Sequence, residues 1–374
     1  MTFGTDNIWT MVYNAIFLLV IIIFSLYGQK LQSLFWLQSI KNAVEELKSM
    51  TLKARDLLVE KIKEIGKPKK DPKAAVNSFL EFFTVTPVDL DPAGVIQRLE
   101  HVLDVRKNRW EEQVKQMAPE ANEVYAANIE NALEAALGLH QIFKTVRHYY
   151  ILGKKSKSLM VIMQIQMQLS LIMQQAKAVE NALNAFIEGK PIGDSVGPLV
   201  VTKLVQNYGS EGNPVKKIED YTKEINLYEL NIEGRNAFII RAKGPGATVG
   251  KPGEAIKKLL NEKKNISRLF MVDAGLKLEG EKTGAVIEGV GAVIGGFGVE
   301  KYKIEEAAGV KNKLPMDGYV IKESIEDAYG PMKKEIADGA DKAVKLLIQG
   351  IKERTLENDN IIIAGIGNCC GIGD

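Results

Sequence analysis

The chain has only two cysteines in 374 residues, Cys369 and Cys370, adjacent to each other and close to its end. Two neighbouring thiols cannot brace a fold of this length, so a disulfide framework is excluded and a reducing compartment fits. Histidine is nearly as scarce, at His101, His140 and His148. His140 and His148 stand eight apart, whereas metal sites favour spacings of three or four beside a carboxylate, so a core or surface role suits them better. Net charge is missing as well. With 49 basic residues against 47 acidic, the balance of +2 is too weak a field to gather nucleic acid, and no such partner is expected. No complete catalytic or cofactor motif occurs, so no cofactor is specified. Few His and Cys beside abundant Lys, Glu and Ile is a composition common in proteins of heat-loving organisms.

What is present is a run of 21 residues without a charged side chain, Ile8 to Gly28. That length suffices to cross a hydrocarbon layer of about 30 Å as a helix. A cleavable signal would need a basic start, a shorter apolar core and a small-residue cleavage site, none of which is found. No Lys or Arg precedes Lys30, while eleven basic and six acidic residues lie between Lys30 and Lys73. This bias predicts a single-pass anchor in the cell membrane, with the N-terminus outside and the later domains cytoplasmic. Trp9, Tyr13, Tyr27 and Trp36 fit the aromatic belts at the two interfaces. The basic excess also suits anionic head groups, although a topology signal on a solvated helix explains it more simply.

After an outside tail and anchor (1–29) come a helical stalk (30–66), a linker (67–73), a helical domain (74–199) and an α/β domain (200–374). Leu37, Ile40, Val44, Leu47, Thr51, Ala54, Leu58, Lys61 and Ile65 alternate steps of three and four, the seam of a coiled coil. Such a helix either zips to copies of itself or lies on the protein's own body. Gly66 and Pro68 end it. Asp91 before Pro92 reads as a helix cap, with long helices at 92–117, from Pro119 to Tyr150, and at 158–187. The last has no charge from Leu159 to Ala176, where methionines and glutamines interleave. Five glutamines would be costly in lipid, so a buried central helix is expected. Met160, Met163, Gln164, Met167 and Gln168 are its candidate contacts in a homo-oligomer. Tyr149 and Tyr150 with Arg147, Lys154, Lys155 and Lys157 make a basic, aromatic patch suited to phosphate or a lipid head group.

Beyond Gly189 the composition shifts to Gly, Val and Ile. Asp194 and Ser195 suit a helix cap. Strand patterns at 231–242, 269–273, 285–294 and 361–366 alternate with helical patterns at 253–264, 316–329 and 331–354. This predicts βαβ units with a largely parallel sheet, in which ligands sit at the carboxyl ends of strands. The first such end is a glycine-rich loop. Pro245 and Pro252 break the Walker pattern there, but Lys243, Gly246, Gly250 and Lys251 are candidate anion-binding residues at a helix start. Glu300, beginning a charged run after a glycine-rich strand end, is a candidate catalytic carboxylate to pair with Asp273. The two cysteines fit a buried tail.

A strand ending in a glycine-rich turn, a helix, then a strand ending in Asp273, Ala274 and Gly275 is similar to the layout of hydrogenase maturation proteases and related phosphorylase/hydrolase-like folds. That resemblance implies a metal ligand at Asp273. The family's other carboxylate and its histidine have no counterpart, and Gly365 to Asn368, similar to its opening motif, come at the chain's end. Over its whole length the chain resembles an archaeal membrane-anchored family of unknown function. The anchor, the PVDLDPAG turn, the KGPGATVGKPGEA loop, the IGGFGVEKYKIEEAA stretch and SIEDAYGPMK carry this resemblance.

Two functions are therefore expected in order of preference. The first is a membrane-tethered homo-oligomeric scaffold displaying the α/β domain. The alternative is a membrane-anchored hydrolase or phosphate-ligand-binding enzyme.

Overall fold

A computed structural model of the protein describes residues 6–88 and 94–373, with side chains from residue 8 onward except those of 24–26. The cap expected at Asp91 and Pro92 lies outside the described residues. The chain forms two compact units, one of residues 1–52 and 139–176, the other of 53–138 and 177–374.

The first unit contains most of α1 (Asp6–Gly66), the second half of α4 (Glu123–Ser156) and the start of α5 (Leu159–Glu188). Apolar side chains of α1 from Ile8 to Ile23 are exposed. Among the described residues no single helix is long and apolar enough to cross a membrane; residues 8–23 and 27–66 pass that test only as a bent pair. The seam of α1 is buried against the protein itself at Ile40, Leu47, Ala54 and Leu58, the second of the two placements open to it. Over its uncharged part α5 buries Ile162, Ile165 and Leu169, spaced by three and four, and then Ala176. Met160, Met163 and Met167 fall on the opposite side, while Met173 is half-buried. Met160 is 71% and Met167 77% exposed, so they do not fill the core as expected.

In the second unit, α2 (Lys73–Leu80) and α3 (Val95–Met117) meet through aromatic side chains: Phe79 lies 4.8 Å from Trp110, ring centre to ring centre. Seven strands follow in the spatial order β1-β2-β3-β7-β4-β6-β5. They are β1 (Lys216–Thr222), β2 (Ile225–Ile232), β3 (Arg235–Ala242), β4 (Ile266–Leu276), β5 (Val286–Val290), β6 (Met316–Glu323) and β7 (Asn360–Gly365). Strands β3, β7, β4 and β6 form a parallel block, and β2 and β5 join it antiparallel.

Strand alternation builds two cores. Ala237, Ile239, Phe270, Val272, Ile361 and Ile363 face α6 (Val196–Tyr208) and α10 (Lys334–Arg354). Phe238, Ile240, Leu269, Met271, Ile362 and Ala364 face α7 (Pro252–Glu262) and α8 (Val299–Ile304). Burial on both sides explains the near-continuous apolar runs.

Two expectations are corrected. The helical reading of 316–329 gives way to strand β6, followed by the short α9 (Ile325–Tyr329). Tyr319, Ile321 and Glu323 alternate on its fully buried face, a period of two that the tail of SIEDAY had obscured. The strand expected at 231–242 begins inside a hairpin, because Glu233 and Gly234 both adopt positive φ, 51° and 78°, and turn the chain from β2 into β3.

Candidate active site

At the carboxyl ends of β4 and β7 the second unit opens into a cleft of about 830 Å³. Its floor holds Asp273 from β4 and Asp194 from the tight turn Gly193–Ser195 ahead of α6. One wall comes from α3 and α4, through Arg106, Lys107, Glu130 and Asn131. The glycine-rich segment 292–301 forms the other, and Arg106 reaches across to it, 4.7 Å from the Trp110 ring and 5.8 Å from that of Phe297.

Asp273 is 7% exposed and accepts the amides of Ala274, at 2.8 Å, and Gly295. Burial, with the charge of Asp194 added, holds its carboxyl well above the usual range despite those amides. Asp194 accepts the Asn368 amide at 2.8 Å, and burial pushes it up too. Behind them, wholly buried, lies Glu323 at the end of β6, both of whose carboxylate oxygens lack a hydrogen-bond partner. Burial and then the charges of Asp194, Asp327 and Asp273 push Glu323 up to about 8. Burial opposes ionisation of Asp327 as well, but Lys333 at 2.5 Å, Ser324 and Thr283 hold it low. On the wall, burial raises Glu130 to about 7, against the pull of Lys107. Of these carboxyls Glu323 and Glu130 are raised to the neutral range, and Asp194 and Asp273 are held above their ordinary values, the direction that suits acid–base groups.

Asparagines frame the pair. Asn368 Nδ2 donates to Asn131 Oδ1 at 3.3 Å, and Asn131 donates in turn to the Ala247 carbonyl at 2.6 Å. Asn128 Oδ1 accepts the Ala247 amide at 2.8 Å. The glycine-rich loop after β3, α4 and the chain's last turn are thereby joined around the floor.

Two domain models match the chain, one described as the N-terminal domain of a protein of unknown function (DUF1512), over residues 14–189, the other as the DUF1512 C-terminal domain, over 192–373. The chain belongs to the DUF1512 family. No curated protein and no solved structure matches it. The junction between the two DUF1512 domains falls just before the Asp194 turn, so every floor carboxylate belongs to the C-terminal domain while α3 and α4 of the N-terminal domain wall the cleft.

In this DUF1512 chain Asp273, Glu300, Gly250 and Lys251 all border the cleft. Glu300 does not join the floor pair: its carboxylate accepts the amide of Gly253 at 2.8 Å, occupying the start of α7. Lys251 binds Asp104 at 2.8 Å and Glu254 at 3.3 Å. Lys243 pairs with Asp220 at 2.8 Å and Glu123 at 3.4 Å, and a methyl on Gly246 would stand 3.3 Å from Val124 and Ala127. Among the described residues no three His, Cys, Asp or Glu side chains are placed to hold one ion around Asp273 or elsewhere. Cys369 and Cys370 are both buried; Cys369 Sγ donates to the Ala242 carbonyl at 2.9 Å, and burial raises the Cys370 thiol to about 12.

Sequence reasoning passed over Asp194, Glu323, Asn128, Asn131 and Asn368. Asp194 did carry a signal, an acid flanked by Gly193 and Ser195 in a loop rich in turn formers, but a cap explained it as well. Glu323 was hidden by the helical reading of its strand.

Proposed function

We propose that the protein is a membrane-tethered hydrolase whose C-terminal domain uses Asp194 and Asp273 as an acid–base pair. The observation that carries this reading is their meeting on one cleft floor, from two separate elements, with both carboxyls held above their usual range. In this mechanism the two carboxyls share one proton, as neighbouring like charges favour. The protonated member gives its proton to the leaving atom of the substrate, the ionised member takes one from the attacking water, and the pair ends as it began, one proton between two carboxyls. The lining bears eight carboxylates against four cations, which favours an uncharged or cationic polar substrate over a phosphate. Lys107 is paired with Glu224 and Lys251 with Asp104, so the nearby cations are already committed to partners.

The tether is the exposed apolar face of residues 8–23, with the basic bias after it orienting the chain in the cell membrane. The archaeal lineage rests on the whole-chain resemblance. A scaffold role is a second reading, supported by the outward methionine face of α5: Met160, Met163, Gln164, Met167 and Gln168 are all exposed, and such a surface suits a second copy of the chain.

The test is to incubate a polar metabolite extract with wild type, Asp273→Asn and Asp194→Asn and compare the species by mass spectrometry. A hydrolase consumes compounds and yields their water-addition fragments with wild type alone. Identical extracts from all three proteins would sink the reading.

A further inference from the structure

Charge is balanced over the whole chain but not within the unit of residues 1–52 and 139–176. No Asp or Glu occurs between Asp6 and Glu45, nor between Glu134 and Glu180. The same stretches carry Lys30, Lys41, Lys144, Arg147, Lys154, Lys155, Lys157 and Lys177. Lys154, Lys155 and Lys157 crowd the tip between α4 and α5, all exposed. A methyl on Gly153 would stand 2.9 Å from Ile162 Cγ1 and 3.9 Å from Leu37 Cδ2, so the tip rests beside Leu37 of α1. Leu37 follows Gly28, the last residue of the apolar run, by about 14 Å of helix. Exposed Tyr149, Leu152 and Met160 on the hairpin, with Leu34 and Phe35 on α1, add apolar surface among the cations.

We propose that this tip is a docking surface for the anionic head groups of a bilayer. Lys154, Lys155 and Lys157 meet the phosphates, and Leu152 and Met160 enter the boundary between head groups and acyl chains. The inference deepens the membrane-tether reading and rests on it. A cationic surface alone would equally suit nucleic acid. The apolar side chains interleaved here, and the continuity with an apolar helix only a few turns away, favour lipid. A contact of this kind holds the chain in one orientation on the membrane and makes its attachment depend on lipid charge.

The full-length protein is reconstituted into vesicles of pure phosphatidylcholine and into vesicles with about a third phosphatidylglycerol. Its lysines are then acetylated briefly and read by peptide mass spectrometry. Each cation near an anionic surface gains about fivefold in affinity, so labelling of Lys154, Lys155 and Lys157 should fall about fivefold or more in the anionic vesicles. Exposed Lys257 and Lys345 serve as references and stay constant, and about 1 M salt restores labelling at the tip. A triple variant, K154E/K155E/K157E, keeps its thermal midpoint but shows no lipid-charge dependence in the labelling of Lys144, ten residues before Lys154 on the same helix. Equal tip labelling in both vesicle types overturns the proposal. Protection that follows protein density in neutral vesicles, or added DNA, overturns it too, in favour of a second copy or nucleic acid. An alkaline carbonate wash separates the two readings: a chain washed from both vesicle types lacks the tether and overturns that reading, whereas a chain that resists the wash yet shows equal tip labelling overturns the docking surface alone.

Discussion

The amide of Asn368 donates to Asp194 Oδ2 at 2.8 Å, tying the exit of β7 to the turn before α6. Gly367 makes the approach possible. Its φ is +126°, and a methyl there would stand 2.0 Å from the Asp194 carbonyl oxygen.

Gly367→Ala should therefore lower stability by about 2–4 kcal/mol, the sum of a strained backbone and a forced shift of Asp194. Chemical denaturation of the two proteins measures it. A difference below about 0.5 kcal/mol, the range of ordinary surface changes, would mean the turn is not held as described.

Glu323 sets a pH dependence whose sign follows from proton binding. Its carboxyl holds a proton in the folded chain up to about 8, while the unfolded chain releases it near 4.5. Between those values the folded state binds more protons, so stability falls as pH rises and levels off above the folded value. Glu323→Gln removes the ionisation and keeps the shape of the neutral acid. The variant should be more stable than wild type by about 3 kcal/mol at neutral pH, with the gap closing toward pH 4. Thermal midpoints across that window check it, and a gap that is independent of pH would show that Glu323 does not titrate there.

The α/β plan was legible because β3, β4 and β7 each carry a short apolar run bounded by turn residues, and the candidate strand ends followed from it. Asp273 was singled out at one of those ends through the resemblance to hydrogenase maturation proteases. Its partner was not, since Asp194 lies 79 positions earlier in the chain, and only the folding of β7 beside β4 brings Asn368 and Asp194 to the same floor. Strand β6 was missed because the short helix that follows it, Ile325–Tyr329, lent it its period. In α5 the absence of charge was read as burial. An uncharged glutamine and methionine face can equally be the exposed one, and only the position of Ile162, Ile165 and Leu169 decides which side turns inward.

Met167→Glu separates the scaffold reading from the rest. Met167 is 77% exposed, so the variant's own stability should stay within about 0.5 kcal/mol of wild type. Native mass spectrometry of protein released gently from membranes should then show a smaller assembly if α5 is the contact. An unchanged subunit number for wild type and variant would remove this face from consideration.

Glu300 occupies the place where an external anion was expected. Its carboxylate accepts the amides of Gly253 at 2.8 Å and Glu254 at 3.4 Å and binds Lys303 at 3.0 Å. A helix start offers unpaired amides and partial positive charge, so the chain's own carboxylate there leaves little for a phosphate to gain. Glu300→Ala frees those amides. It should cost about 1–3 kcal/mol, because charge-assisted hydrogen bonds are lost and Lys303 is left with Glu100 and Glu254 alone. Millimolar phosphate should then raise the thermal midpoint of the variant and leave wild type unmoved. If phosphate stabilises wild type to the same extent, the anion binds elsewhere, and the cleft's preference for uncharged or cationic ligands must be reconsidered.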